Sequence, residues 1–410
     1  AAFSRKFAAD LRGTQAGTPY YGIVAPGSVV SSESSAAGWS DAGVIVPWTS
    51  WLQSGDNRII EQNWDAMEKY LNAIEQANPD GLWQHDAGIP FGDWLSPEGR
   101  TLYPLVATAY WAYDVTLMRQ MAHTLGKSEE EERLTRLFDH IRTAFDQQFM
   151  KSDGFILGAE KGPSPFGRIN NPDAKANGGD TQTGYVLALN MRLVPDALRS
   201  AVAAKLAAKI EANHGSLGTG FLGTPYLLAT LVDTGHADLA YRLMLNTGYP
   251  SWGYLVGHGA TTMWERWNGD QMRGDPSMNS YNHYAYGAVA DWLYRYAAGI
   301  DATPLDPGFH TVFLHPVFDR EIGSLDLRFQ SPYGEIHSIW TVEGDKAHWT
   351  LTIPPNAVGW LGVTGAEASR YRMNGTSLAD SKLAKQSNND GQVGYELQAG
   401  NYRFEVAGVK

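Results

Sequence analysis

The run LYPLVATAYWAYDVTLMRQMAHTLGKSEEEERLTRLFDHIRTAFDQQF, residues 102–149, decides the fold class. Its first half places Leu102, Val106, Ala109, Tyr113, Leu117 and Met121 in steps of four and three, one stripe on one helix face. Its second half repeats the pattern with Leu134, Phe138, Ile141, Phe145 and Phe149. Between them Ser128 and Glu131 have the spacing of a capping box, and Gly154 follows the second stripe. Two helices joined by so short a link are predicted to run antiparallel.

The same period recurs on both sides. Ile60, Trp64, Met67, Leu71 and Ile74 form a stripe upstream, and Leu198, Val202, Leu206 and Ile210 form one after Pro195. Leu227 and Leu231, then Leu239 and Leu243, flank a tight turn at Thr234-Gly235-His236. A final helix is expected to carry Tyr286, Val289, Leu293 and Tyr294. Longer links such as Trp83 to Gly99 and Phe155 to Gly179 are rich in Gly, Pro and aromatics. Alternating short and long links suit an α/α toroid whose long loops gather at one end and form a cleft.

The period changes after Ile300. Asp301 to Pro307 reads as a linker with two prolines. Beyond it Ile336, Ser338, Trp340 and Val342, then Trp349, Leu351 and Ile353, alternate in twos across Gly344-Asp345. The expected architecture is therefore mainly α, a toroid over residues 1–300, followed by a small antiparallel β-sandwich over 301–410.

With 410 residues, 43% of them hydrophobic, the chain can bury a large core. A net charge of −12 argues against nucleic acid and acidic lipid as partners. No apolar run reaches the length of a membrane span, so a soluble chain without a membrane partner is expected. The opening residues do not build a secretory signal, which leaves cytoplasm and periplasm both open. There is no cysteine, so thiolate chemistry and disulfides are excluded.

The 14 tryptophans and 20 tyrosines point to sugar binding as well as to helix packing. Three acids sit among Gly, Trp and Tyr in loop-like stretches: Asp41 in GWSDAG, Asp93 in PFGDWL, and Glu265 in TTMWERW. Glycoside hydrolysis needs two carboxylates facing each other across the bond, about 6.5–9.5 Å apart when a water must fit between them. Each acid also has a structural alternative. Asp41 could cap a helix, Asp93 could collect loop N–H groups, and Glu265 could pair with Arg266. His283 reads equally as a core histidine or a substrate ligand. Trp39, Trp94, Trp252, Trp264 and Trp267 could stack on sugar or pack between helices. No phosphate-binding loop, dinucleotide glycine motif, His-Glu-x-x-His or Gly-x-Ser-x-Gly elbow occurs.

Taken in order, six runs resemble bacterial α-L-rhamnosidases of glycoside hydrolase family 78. They are GWSDAGVIVPW at 38–48, FGDWL at 91–95, GFLGTPY at 220–226, YPSWGY at 249–254, ATTMWERW at 260–267 and MNSYNHYAYGAV at 278–289. Ser331-Pro332-Tyr333-Gly334 is similar to the family's C-terminal domain. The resemblance implies an (α/α)6 barrel followed by a β-sandwich. It also implies inverting release of terminal α-L-rhamnose from a rhamnose-containing carbohydrate, with no metal or organic cofactor. Under it Glu265 is the general base, His283 binds a sugar hydroxyl, and Trp39 and Trp94 wall the pocket.

One departure stands out. The family's general acid is a glutamate in an Asp-Glu-Arg-x-Gly-Trp-x-Gly-Asp-like motif, and no such motif occurs in this sequence. The expectation is a barrel incomplete at its N-terminus, opening near Phe3 to Leu11. Three outcomes follow. A second polypeptide or self-association completes the barrel and supplies the acid, the core is folded but nearly inactive, or Asp93 first and Asp41 second take the acid's role. The first two rank ahead of the third.

Overall fold

In the computed structural model, residues 2–23, 35–156, 176–272, 278–389 and 392–409 are described; most of the expected long loop Phe155 to Gly179 lies outside them. The chain divides into two compact units, Ala1–Thr49 with Asn57–Ala288, and Ser50–Asp56 with Val289–Lys410.

Among the described residues the helical unit is built on α1 (Ala2–Gly13), α2 (Ala42–Ser54), α3 (Arg58–Ala77), α4 (Tyr103–Thr124) and α5 (Ser128–Phe149). It continues with α6 (Gln182–Asn190), α7 (Arg199–Ala212), α8 (Thr224–Asp233), α9 (Ala237–Leu245) and α10 (Trp252–Gly257). The pairs α4–α5, α6–α7 and α8–α9 form helical hairpins, while α4 packs on α6 and α6 on α8. This gives an inner row of helices and an outer one. The stripe of α3 is buried as expected at Ile60, Trp64, Met67, Leu71 and Ile74, each side chain contributing about 1.5–3 kcal/mol by leaving water.

The hairpin at 102–149 differs from its reading in detail. Helix α4 is buried on nearly every face, not along one stripe, because it belongs to the inner row. On α5 the buried positions are Leu134, Leu137, Ile141, Phe145 and Phe149, so Leu137 replaces Phe138 in the stripe. Ser128 is the first helical residue, Lys127 occupies the cap position, and no capping-box hydrogen bond forms. Near the end of the helical region, short turns bury Tyr286, Trp292 and Tyr296, not Val289, Leu293 and Tyr294.

The second unit contains a six-stranded and a five-stranded sheet. Gly334–Glu343 pairs antiparallel with Lys346–Ile353, Trp340 opposite Trp349, across the Gly344-Asp345 turn. Ile336, Trp340, Trp349, Leu351 and Phe404 share one core with Val312, Leu314 and Leu361. The buried indoles find acceptors: Trp340 Nε1 donates to Ala297 O at 2.8 Å and Trp349 Nε1 to Ser338 Oγ at 2.9 Å. All strand pairs of this unit are antiparallel except Thr311–Leu314 with Val358–Leu361. The expected linker at Asp301 is instead part of strand Ile300–Ala302, where the Asp301 carboxylate takes Arg295 Nε at 3.0 Å.

Candidate active site

Glu265 is half-buried and is fixed by a second segment running alongside it. Its N–H donates to Ser280 O at 2.8 Å, and the Ser280 N–H donates back to its Oε2 at 2.9 Å. His283 N–H donates to Met263 O at 2.8 Å, and Arg266 Nε donates to Met278 O at 2.6 Å. Arg266 thus clamps the same two segments together. The backbone bond aims one carboxylate oxygen, while Oε1 meets no donor among the described residues.

His283 comes next to this carboxylate. Its Nδ1 accepts the Ala285 N–H at 3.3 Å, which leaves the proton on Nε2. Burial lowers its pKa, partly opposed by the charge of Glu265, so the ring is neutral near pH 7. Phe221 lies against it at 4.9 Å between ring centres and meets Tyr286 edge-on at 5.3 Å. The exposed Tyr284 ring lies parallel to His283 on another side.

Asp93 holds Phe221 in place. Its carboxylate is buried and accepts the N–H groups of Gly220 (2.6 Å), Leu222 (2.7 Å) and Gly223 (3.1 Å), together with the Thr183 hydroxyl. Phe221 N–H donates to Trp94 O at 2.9 Å, and Ser96 Oγ donates to Gly218 O at 2.6 Å. Gly220 has to be glycine, since a Cβ there would sit 2.2 Å from Trp94 O. Burial raises the Asp93 pKa, and the four hydrogen bonds push the other way. Both oxygens are engaged in tying the 90–96 loop to the 218–224 loop.

Trp39 and Trp94 are half-buried and meet through Phe91, at 4.9 Å from Trp39 and 5.6 Å from Trp94. Trp39 stands on the turn before α2. Gly38 has φ +87°, and a Cβ on it would meet Leu222, so the turn nests against the loop that Asp93 holds. Asp41 is fully buried below this turn; its Oδ2 accepts the Gly38 N–H at 2.7 Å and does not cap α2.

The other three tryptophans are packed away. Trp264, Trp267 and Trp252 are 4%, 2% and 9% exposed. Trp267 stacks on Tyr286 at 4.0 Å, Trp252 Nε1 donates to Tyr286 O at 2.8 Å, and Trp264 closes over Gly269. Of the two roles open to them, sugar stacking and packing, these three rings take packing positions in this structure. Phe221, Phe91 and Thr183 were not singled out by sequence. Phe221 and Phe91 did lie inside the quoted runs, whereas nothing local marks Thr183.

Comparison with known proteins matches the chain to two family models. Residues 1–297 match the bacterial alpha-L-rhamnosidase 6 hairpin glycosidase domain, and residues 299–376 match the bacterial alpha-L-rhamnosidase C-terminal domain. An α-L-rhamnosidase of Streptomyces avermitilis is 37% identical over 409 residues, covering 99% of this chain and 36% of the relative. One from Formosa agariphila is 32% identical, covering 90% of this chain and 39% of the relative. The chain therefore spans little more than a third of the curated relatives it matches. Among solved structures, the Streptomyces avermitilis α-L-rhamnosidase complexed with L-rhamnose aligns with TM-score 0.81 and 36% identity, over 98% of this chain and 36% of that one. The Aspergillus terreus enzyme aligns with TM-score 0.79 and 25% identity, over 99% and 43%. In sequence and in fold, this chain belongs to the bacterial α-L-rhamnosidase family.

Proposed function

We propose that this chain forms the catalytic core, to about residue 300, of a glycosidase that releases terminal α-L-rhamnose with inversion. The observation that carries the reading is Glu265. Its carboxylate is aimed by the Ser280 N–H, with one oxygen uncommitted among the described residues, beside a neutral His283. A carboxylate held so can accept a proton from an attacking water. His283 Nε2–H is then free to donate to a sugar hydroxyl. Trp39 and Trp94 offer apolar ring faces to the sugar's C–H face and methyl group. That a relative is known in complex with L-rhamnose supports the choice of sugar.

A second reading, a carbohydrate-binding core without turnover, is favoured by one observation. The two carboxyls considered for the acid, Asp93 and Asp41, are both buried and hydrogen-bonded to backbone N–H groups. A general acid has to reach the leaving-group oxygen, so neither suits the task. Under this reading no acid reaches the glycosidic bond, whereas the enzyme reading takes its acid from a second polypeptide or another copy. Assaying a chromogenic α-L-rhamnoside, with intact mass on the same preparation, separates the two. Turnover that Glu265→Gln abolishes supports the enzyme, and turnover untouched by it sinks the base assignment. L-rhamnose binding without turnover in a single-species preparation supports the binding core.

A further inference from the structure

Below the Trp39 turn lies a group of buried polar atoms that the site chemistry leaves unexplained. Asp114, on the inner helix α4, and Asp41 are each fully buried, and their carboxyls lie near enough for each to act on the other's charge. Asp41 Oδ2 takes the Gly38 N–H, but Asp41 Oδ1 and both Asp114 oxygens meet no donor among the described residues. The hydroxyls of Tyr21 and Tyr70, 1% and 0% exposed, also have no partner among the described residues, with their rings 5.1 Å apart. Five unsatisfied oxygens on four residues in one place call for an account, since buried polar groups are nearly always paired.

Two carboxylates in contact inside a protein cannot both hold a negative charge. One keeps a proton, and that proton supplies a bond between the two carboxyls. The Gly38 N–H favours charge on Asp41, so Asp114 is the donor. The titratable neighbours add no cation that would let both carboxyls ionise. Tyr70 from α3 and Tyr103 and Tyr110 from α4 face Asp41, and Tyr21 after α1, Tyr70 and Tyr226 from α8 face Asp114; all are neutral phenols raised by burial. Arg12 of α1 acts on Tyr21, while its Nη1 donates to Asn63 Oδ1 at 2.5 Å.

We propose that Asp114 is a positioning residue for the sugar pocket: its carboxyl donates to Asp41, which holds the Gly38 N–H and so sets the turn that presents Trp39. The path is short. Asp114 fixes the Asp41 rotamer, Asp41 fixes Gly38 at its left-handed φ, and the next residue is Trp39. Asp114 touches no substrate. The inference rests on the reading of Trp39 as a pocket wall.

The test uses L-rhamnose binding by calorimetry in wild type, Asp114→Asn and Asp114→Leu. Asparagine keeps a donor at the same place, and leucine keeps bulk without one. The expected result is at least a tenfold weaker affinity for leucine, with asparagine within about threefold of wild type. This rescue separates donation from packing. Equal affinity in all three, or a tenfold loss with asparagine, overturns the proposal while leaving the pocket intact. No binding by wild type sinks the pocket reading and this inference with it. Infrared difference spectra, wild type minus Asp114→Asn at pH 7, decide the matter if the leucine variant does not fold. A protonated carboxyl carbonyl band is expected, and its absence refutes the donor role.

Discussion

Replacing Asp114 by asparagine is predicted to stabilise the chain, and to do so more as pH rises. In the unfolded chain this carboxyl ionises near 3.8, whereas in the fold burial and then Asp41 hold its pKa well above that value. Holding its proton in the fold therefore costs at most about 4 kcal/mol at pH 7 relative to the ionised unfolded chain, the full gap between 3.8 and 7, by linkage. The direction follows from the raised pKa: the native state binds the extra proton, so the contribution of Asp114 is most favourable below about pH 4 and declines as pH rises from there. Asp41, raised to about 6, adds its own decline between about pH 4 and pH 6 and none above. Asparagine needs no proton and retains an N–H donor toward Asp41, which removes the Asp114 share of the slope. The expected gain is close to zero at pH 4 and about 2–4 kcal/mol at pH 7, discounted for water reaching the pair. Urea unfolding at several pH values, with equal slopes for the two proteins, is the assay. A variant less stable than wild type at pH 7, or a gap independent of pH, would refute the shared-proton argument.

Other substitutions test the site piece by piece. Glu265→Gln is expected to lower rhamnoside turnover by about 10²–10⁴-fold with little change in melting temperature, as checked with a chromogenic substrate. His283→Ala removes one donor to the sugar and is expected to weaken L-rhamnose binding by about 1–3 kcal/mol, measured by calorimetry. Asp93→Ala strands three backbone N–H groups and a hydroxyl, so a loss of about 3–5 kcal/mol in unfolding free energy is expected, read by urea denaturation. Trp39→Ala is predicted to reduce sugar affinity more than stability. Trp264→Ala, which empties a buried site, is predicted to do the reverse, at about 3–5 kcal/mol.

The helical hairpins were legible because an inner–outer helix pair writes its buried face in steps of three and four. What the period missed was the difference between the rows. A stripe at Leu102 to Met121 describes an outer helix, while α4 is enclosed on all sides and buries the residues between the stripes as well. The turns at Gly235 and Gly344 were readable because glycine at positive φ is local chemistry. The capping box at Ser128 was not reliable, since its partners are local but the helix start is set by tertiary packing. In the site, Glu265 and His283 could be named from their aromatic surroundings. That Asp93 collects loop N–H groups was among its sequence alternatives, but which loop it holds was not, because Gly220, Leu222 and Gly223 lie far along the chain. Asp114 was visible as one acid inside an apolar run, and only the fold shows what it faces.

The central claim is that the Glu265 and His283 loops, with Trp39 and Trp94, form a pocket for terminal L-rhamnose. Its most direct test is calorimetric titration of the chain with L-rhamnose, D-glucose and D-galactose in parallel. The account predicts saturable binding of L-rhamnose alone, weakened together by Trp39→Ala, Trp94→Ala and His283→Ala. No binding of L-rhamnose, or equal binding of all three sugars, contradicts it.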